Sequence, residues 1–234
     1  MTGPGPGRSA PVLVLASASP ARRRLLQAAG IDPVVAVSHV DEDALVDALP
    51  GDTGPAQVVA ALAEAKAREV FTRLPSATDP ALPAGTRVVV IGCDSMLARE
   101  ATLSGKPHTA EVARRQWRAM RGETAQLITG HCLILGTVPS GEDAGGQDTG
   151  EPTVIVDTAS TDIVFGSPTD AQIDAYVDTG EPLEVAGAFT LDGLGGWFIE
   201  RIDGDPSSVI GLSLPLVRRL ADTAGVDITE LWNR

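Results

Sequence analysis

The chain has 234 residues, 43% of them hydrophobic and 21% charged, with a formal net charge of −13. That is the profile of a soluble globular protein long enough for one large domain or two small lobes. So acidic a molecule is excluded as a general binder of DNA, RNA or anionic membrane, partners that are met by a spread of positive charge.

Residues 1 to 10, rich in Gly and Pro, read as a flexible tail before one domain over 11 to 234. Val12 to Ala16 is a short apolar run of the kind that makes a strand buried on both faces, and the small residues Ser17, Ala18 and Ser19 allow a tight turn close to a ligand. Ser19 suits an N-cap and Pro20 the first helical position, with Leu25, Leu26 and Ala29 at helical spacing and Gly30 as the stop. Arg8, the apolar run and Ala16-Ser17-Ala18 faintly resemble a secretory signal, but the run is near the minimum length and leads directly into an amphipathic helix, so it is read as a core strand. Arg22, Arg23 and Arg24 occupy a first turn where the macrodipole favours acids, which suggests an anionic ligand; the alternative is a solvated helix face.

Val34 to Val37 reads as a short strand leading into the acidic loop Ser38 to Asp43, and Pro55 to Leu74 as an amphipathic helix carrying Lys66. After a Pro-rich connection over residues 75 to 85, Arg87 to Gly92 is a second buried strand that delivers Cys93, Asp94 and Ser95 at its carboxyl end, where open α/β sheets place ligands. A loop with Ser104-Gly105-Lys106-Pro107 precedes a helix from Ala110 to Met120 capped by Thr109. Gln126 to Gly136 and Thr153 to Phe165 read as strands, separated by a mobile, Gly-rich loop over 139 to 152. Thr169 and Gln172 form a capping box for a helix to Asp178. Leu191 to Gly196 is a glycine-rich turn, Trp197 to Ile202 a strand and Pro215 to Ala224 the last helix. The fold class is α/β, a mixed central sheet flanked by helices.

Sixteen of the basic residues are Arg, and Lys66 and Lys106 are the two lysines; a compact ammonium meets phosphate oxygens as a point charge. Cys93 and Cys132 cannot build a disulfide framework, which points to a reduced cytoplasmic home, and His39, His108 and His131 are too scattered for a structural zinc site. Arg22, Glu42, Lys66, Asp94 and Lys106 together supply both halves of phosphoryl chemistry, cations to neutralise a polyphosphate and carboxylates to hold a divalent ion or orient water.

Eight short motifs follow one another along the chain: L-A-S-A-S-P at Leu15 to Pro20 with Arg22, S-H-V-D-E at Ser38 to Glu42, L-A-E-A-K-A around Lys66, and I-G-C-D-S at Ile91 to Ser95. They continue with G-K-P at Gly105 to Pro107, T-G at Thr129-Gly130, E-P-L-E-V-A-G-A-F at Glu181 to Phe189, and V-I-G-L at Val209 to Leu212. In these motifs the chain resembles the Maf nucleoside triphosphate pyrophosphatases over residues 12 to 222. The resemblance implies a Maf/inosine-triphosphatase-like fold with two lobes around a cleft, and a cytoplasmic, homodimeric hydrolase that uses Mg²⁺ or Mn²⁺. Such an enzyme cleaves a nucleoside triphosphate to the monophosphate and pyrophosphate. By position, Asp94 matches the catalytic acid residue, drawn as general base or as holder of the attacking water and metal; Glu42 matches a carboxylate near the metal; Arg22, Lys66 and Lys106 match the groups that grip the triphosphate; Ser17 and Ser19 match the turn beside it.

On the base side, the branch that cleaves dTTP and UTP has Arg, Thr and Gln where this chain has Ala21, Ser95 and Asp192, which argues against that preference. An ionised Asp192 accepts but does not donate, and so suits a base edge carrying donors, such as guanine or the cytosine amino group. The branch acting on 7-methyl-GTP is similar in its acidic residue there but differs at the positions of Ala21 and Ser95. The plainer alternative has Asp192 capping the glycine turn. As a whole, the alternative to an enzyme is a nucleotide-binding regulator of cell division or septum formation with little catalysis. A dinucleotide-dependent oxidoreductase ranks far below, since the first strand lacks the required glycines.

Overall fold

In the computed structural model, which describes residues 10–74, 82–99, 102–138 and 151–233, the apolar run forms strand β1 (Val12–Ala16). Helix α1 (Pro20–Ala28) follows at once, with Ser19 as its N-cap accepting from the Arg22 N–H and Gly30 leaving it at φ 86°. Strand β2 (Val34–Val35) is shorter than predicted, its pairing with β1 being confined to Val14↔Val34 and Leu15↔Val35. The acidic loop also ends earlier: the Asp41 carboxylate accepts from the Ala44 N–H and starts helix α2 (Glu42–Ala48), which places Glu42 on a helix and not in a loop. Acids in a first turn complement the macrodipole. Helix α3 (Pro55–Arg73) carries Lys66 as predicted.

Strand β3 (Arg87–Arg99) corrects a second expectation, since Asp94 lies in mid-strand and not just past its end. The chain stays extended because β5 (Thr124–Thr137) pairs antiparallel with it from Arg87 to Ala98. Strand β4 (Thr102–Ser104), helix α4 (Ala110–Met120, capped by Thr109), strand β6 (Thr153–Phe165) and helix α5 (Asp170–Asp178) complete the middle of the chain, the last with its Thr169/Gln172 capping box formed. Strand β7 (Ile199–Asp203) starts later than predicted because Leu194–Phe198 coils into a helical turn. The short α6 (Pro206–Ile210), capped by Asp205, had no sequence prediction, and α7 (Leu214–Thr223) is followed by a closing 3-10 turn over Ile228–Leu231. The tail over 1–9 and most of the loop predicted over 139–152 lie outside the described residues.

Seven strands form one mixed sheet in the order β2-β1-β3-β5-β6-β7, with β4 beside β3. β1 runs parallel to β2 and β3; the other pairings are antiparallel. The edge of β3 is shared: β1 covers Val88 to Gly92 and β4 covers Leu97 to Arg99. Among the described residues no strand covers Cys93 to Met96 on that edge, and the gap holds Asp94 and Ser95.

Two apolar clusters sandwich one half of the sheet, one under α1 and α7 and one under α3; a third, around Trp117, fills the other half. Residues of β3 and β5 belong to all three, so the two lobes share these strands. Trp117 is fully buried, meets Phe165, Tyr176 and Phe198 edge-on, and donates its indole N–H to the Ala188 carbonyl at 2.7 Å. Helix α3 rides close on the sheet because Gly92 and Gly130 lie beneath it; an added Cβ would run into the Ala63 carbonyl at the first and the Val59 carbonyl at the second. These obstacles are backbone and cannot rotate away. We expect Gly130→Ala to lower the unfolding free energy by about 1–3 kcal/mol, seen as a reduced denaturant midpoint at unchanged slope.

Candidate active site

Alternation along β3 turns Asp94 toward α3 and Ser95 toward the opposite face. Asp94 is 7% exposed, and its Oδ1 accepts from the Lys66 ammonium at 2.6 Å. The same ammonium lies 2.9 Å from Glu42 Oε1, at the exposed start of α2. Lys66 thus joins two carboxylates from separate elements. A lysine on an amphipathic helix is ordinarily solvated, yet this side chain is 9% exposed, and its charge is matched by the pair it holds.

Across the sheet, Arg22 is a strut. Its Nε donates to the Gly211 carbonyl at 2.7 Å, one terminal nitrogen to Ser17 Oγ and the Cys93 carbonyl, and the other to Ser95 Oγ at 3.1 Å. The Cys93 carbonyl belongs to the uncovered edge, so a guanidinium stands in for the missing strand. Four of the five N–H donors are engaged, leaving one without a partner among the described residues. Arg23 and Arg24 stay exposed. Ser17 Oγ also accepts from the Ser19 N–H, which folds the turn, and Ser95 Oγ lies 3.0 Å from the buried Thr129 hydroxyl.

Lys106 is exposed and touches none of the other four charged groups through a direct ion pair among the described residues. Its direction is set by the ladder: β4 pairs Ser104 with Leu97, so the chain leaves β4 heading back along β3 toward the gap that Ser17 approaches from the other side. Ala21 lies in the first turn of α1, and Asp192 lies 3.9 Å from Arg24 of the same helix. The glycine turn is organised by Glu181, whose Oε1 accepts from the Thr190 hydroxyl and, at 3.1 Å, from the Gly195 N–H. Burial alone would raise its pKa, but the bonds from Thr190, the Leu194 and Gly195 N–H groups and the Tyr176 hydroxyl hold it below the usual carboxylate value. The motif that opens with Glu181 is legible in the sequence without a role for that residue; the signal is an acid shortly before a glycine-rich turn.

The donor set fits a hard divalent cation. Among the described residues Asp94 Oδ2 is buried with no hydrogen-bond partner, an arrangement that coordination or a bound water would satisfy. Among the described residues no three acid, His or Cys groups cluster as a self-sufficient cage, so Glu42 and Asp94 suit an ion that takes its remaining oxygens from phosphate and water. An open groove of about 540 Å³ continues the Asp94 face past the start of α3, lined by Pro55, Ala98, Gln126 and Ser160. A second, of about 460 Å³, lies at the Trp197 end, away from these charges.

His131, which the sequence reading sets aside as a zinc ligand and gives no other role, is fully buried on β5. Its Nδ1 bonds the Thr129 carbonyl at 3.1 Å and its Nε2 accepts from the Ser213 N–H at 2.8 Å, which defines a neutral Nδ1–H ring. Burial first, then the Arg22 charge, lowers its pKa to about 4. Burial likewise raises the Cys93 thiol to about 11 and the Cys132 thiol to about 12, so neither is a ready nucleophile. As the pH falls, the unfolded chain protonates its histidine first, near 6.5. The stabilisation from the neutral ring is therefore complete above that value and drains away toward pH 4, by roughly 3 kcal/mol in all. We expect stability to fall more steeply between pH 6.5 and 4.5 in the wild type than in His131→Gln, measured by denaturant unfolding; equal slopes would remove His131 as the cause.

The family model described as Maf-like protein matches residues 12–224. The chain is 55% identical over 221 residues to a protein of Nocardia farcinica (strain IFM 10152), covering 94% of this chain and 96% of that one. It is 52% identical over 219 residues to a protein of Rhodococcus opacus (strain B4), covering 94% and 95%. It is also 52% identical over 222 residues to a protein of Mycobacterium sp. (strain JLS), covering 95% and 98%. All three carry the name nucleoside triphosphate pyrophosphatase. With a match across nearly its whole length and relatives this similar, the chain belongs to the Maf-like protein family.

Proposed function

We propose that this Maf-like enzyme hydrolyses a nucleoside triphosphate by attack of water on the α-phosphate, giving the nucleoside monophosphate and pyrophosphate. The observation that carries the reading is the Lys66 ammonium clasped by Asp94 and Glu42, with Asp94 Oδ2 free of any protein partner among the described residues. Asp94 orients the attacking water through that free oxygen and takes up its proton. Lys66 meets phosphate oxygens when the triphosphate arrives, exchanging part of its carboxylate contact for a second anion. Lys106 grips the triphosphate from the loop after β4. Arg22 shapes the site around the β3 gap and offers its remaining N–H, beside the turn of Ser17 and Ser19. A Mg²⁺ or Mn²⁺ ion held by Glu42 and Asp94 would neutralise the charge that develops on the leaving pyrophosphate.

The base lies on the other side of β3 from the phosphates, among Ala21, Ser95 and Asp192, and is one with hydrogen-bond donors on its edge and not thymine or uracil. The enzyme works in the cytoplasm as a homodimer. Relatives that bear an enzyme's name favour catalysis over a purely regulatory role in cell division.

Incubation with the common nucleoside triphosphates and Mg²⁺ or Mn²⁺, followed by chromatography, should yield pyrophosphate and the monophosphate in equal amounts. Nucleotide binding without pyrophosphate would favour the regulator. We expect Asp94→Asn to keep its fold and lose about 10²–10³ in turnover; undiminished pyrophosphate release would overturn the role of Asp94. Asp192→Gln should shift the preference toward uracil and thymine, and an unchanged order of substrates would separate Asp192 from base reading.

A further inference from the structure

The segment Glu181–Phe189 makes two sets of contacts that the proposed reaction leaves unused. The first runs to the Lys106 loop: the Gly187 N–H donates to the Gly105 carbonyl at 3.1 Å, and the His108 N–H donates to the Leu183 carbonyl at 3.0 Å. Lys106 is therefore bracketed, one residue before and two after, by bonds to a single stretch of chain. The second set runs to the glycine turn, through the Glu181 carboxylate to Thr190 and Gly195. Gly193 packs so closely that an added Cβ would lie 2.7 Å from Glu181 Oε1, and one on Gly195 would lie 2.6 Å from the Tyr176 hydroxyl.

The segment is itself firmly anchored. The Ala188 carbonyl takes the buried Trp117 indole N–H, and the Gly187 backbone lies against the Leu97 side chain. Among the described residues, the non-glycine residues with positive φ are His108 at 57° and Ala188 at 60°. Both belong to this assembly, and such conformations persist where the surroundings over-determine them.

We propose that Glu181 is a positioning residue: its carboxylate locks the Thr190–Gly196 turn, and with it Asp192, to the same segment that holds Lys106. Seating of the triphosphate and selection of the base are thereby fixed by one frame. This rests on the proposed nucleotide hydrolysis for its kinetic consequences, though not for the lock itself.

The lock is tested without substrate by hydrogen exchange of the full-length protein. In Glu181→Ala we expect the amides of residues 190–196 to exchange about tenfold faster, and in Glu181→Gln, which keeps an Oε1 acceptor, close to the wild-type rate. With a panel of nucleoside triphosphates and Mg²⁺, Glu181→Ala should raise KM about tenfold, change kcat by less than about threefold, and narrow the kcat/KM ratio between best and worst base about fivefold. Glu181→Gln should restore most of each. Unchanged exchange in Glu181→Ala would overturn the lock, and a loss confined to kcat with the base ratio intact would overturn its effect on selection. If the wild-type enzyme cleaves no triphosphate, the proposed function fails while the exchange result still decides whether Glu181 holds the turn.

Discussion

Between Cys93 and Met96 the edge of β3 has no strand beside it, and the polar groups exposed there must be answered by something else. Arg22 answers from one side. It takes the Cys93 carbonyl that β1 would otherwise have bonded and joins it to Ser17, Ser95 and Gly211. The turn after β1 and the loop after β4 open toward the same place from opposite directions. An interruption in a sheet thus becomes a place where residues from distant parts of the chain converge.

What stands opposite Asp94 is decided by the glycines beneath α3. With Gly92 and Gly130 under it, the helix sits low enough for Lys66 to reach back toward its own N-terminus and meet Asp94. A buried ion pair of this kind adds little to stability, because desolvation consumes most of the attraction, but removal of either partner strands a charge. What it fixes is geometry: two carboxylates and an ammonium are held close together, in surroundings where electrostatic interactions are strong.

Much of this was legible in the amino-acid order. The apolar run of β1, the strand over β6, the Ser19, Thr109 and Thr169 caps and the helix carrying Lys66 were all readable, because each rests on local propensity and periodicity. The candidate charges were also readable, as motifs. What could not be read was anything set by distant pairing. The continuation of β3 through Asp94 depends on β5, and the helical position of Glu42 on an Asp41 cap inside a run of acids that looks like loop. The tautomer of His131 depends on Ser213, far along the chain. Glu181 was hidden for the same reason, since its partners follow it across a coiled turn whose shape local sequence does not specify.

The long strands carry a mechanical consequence. β3 and β5 run without a break through the core beneath α3 and on into the core around Trp117. Any widening of the space between these regions has to be absorbed as bending and twisting of a continuous hydrogen-bonded ribbon, which is stiff, instead of rotation about a flexible hinge. The spacing of Asp94 and Ser95 from the elements on either side of the sheet is therefore governed by sheet curvature, and local adjustment falls to side chains and to the peripheral turns.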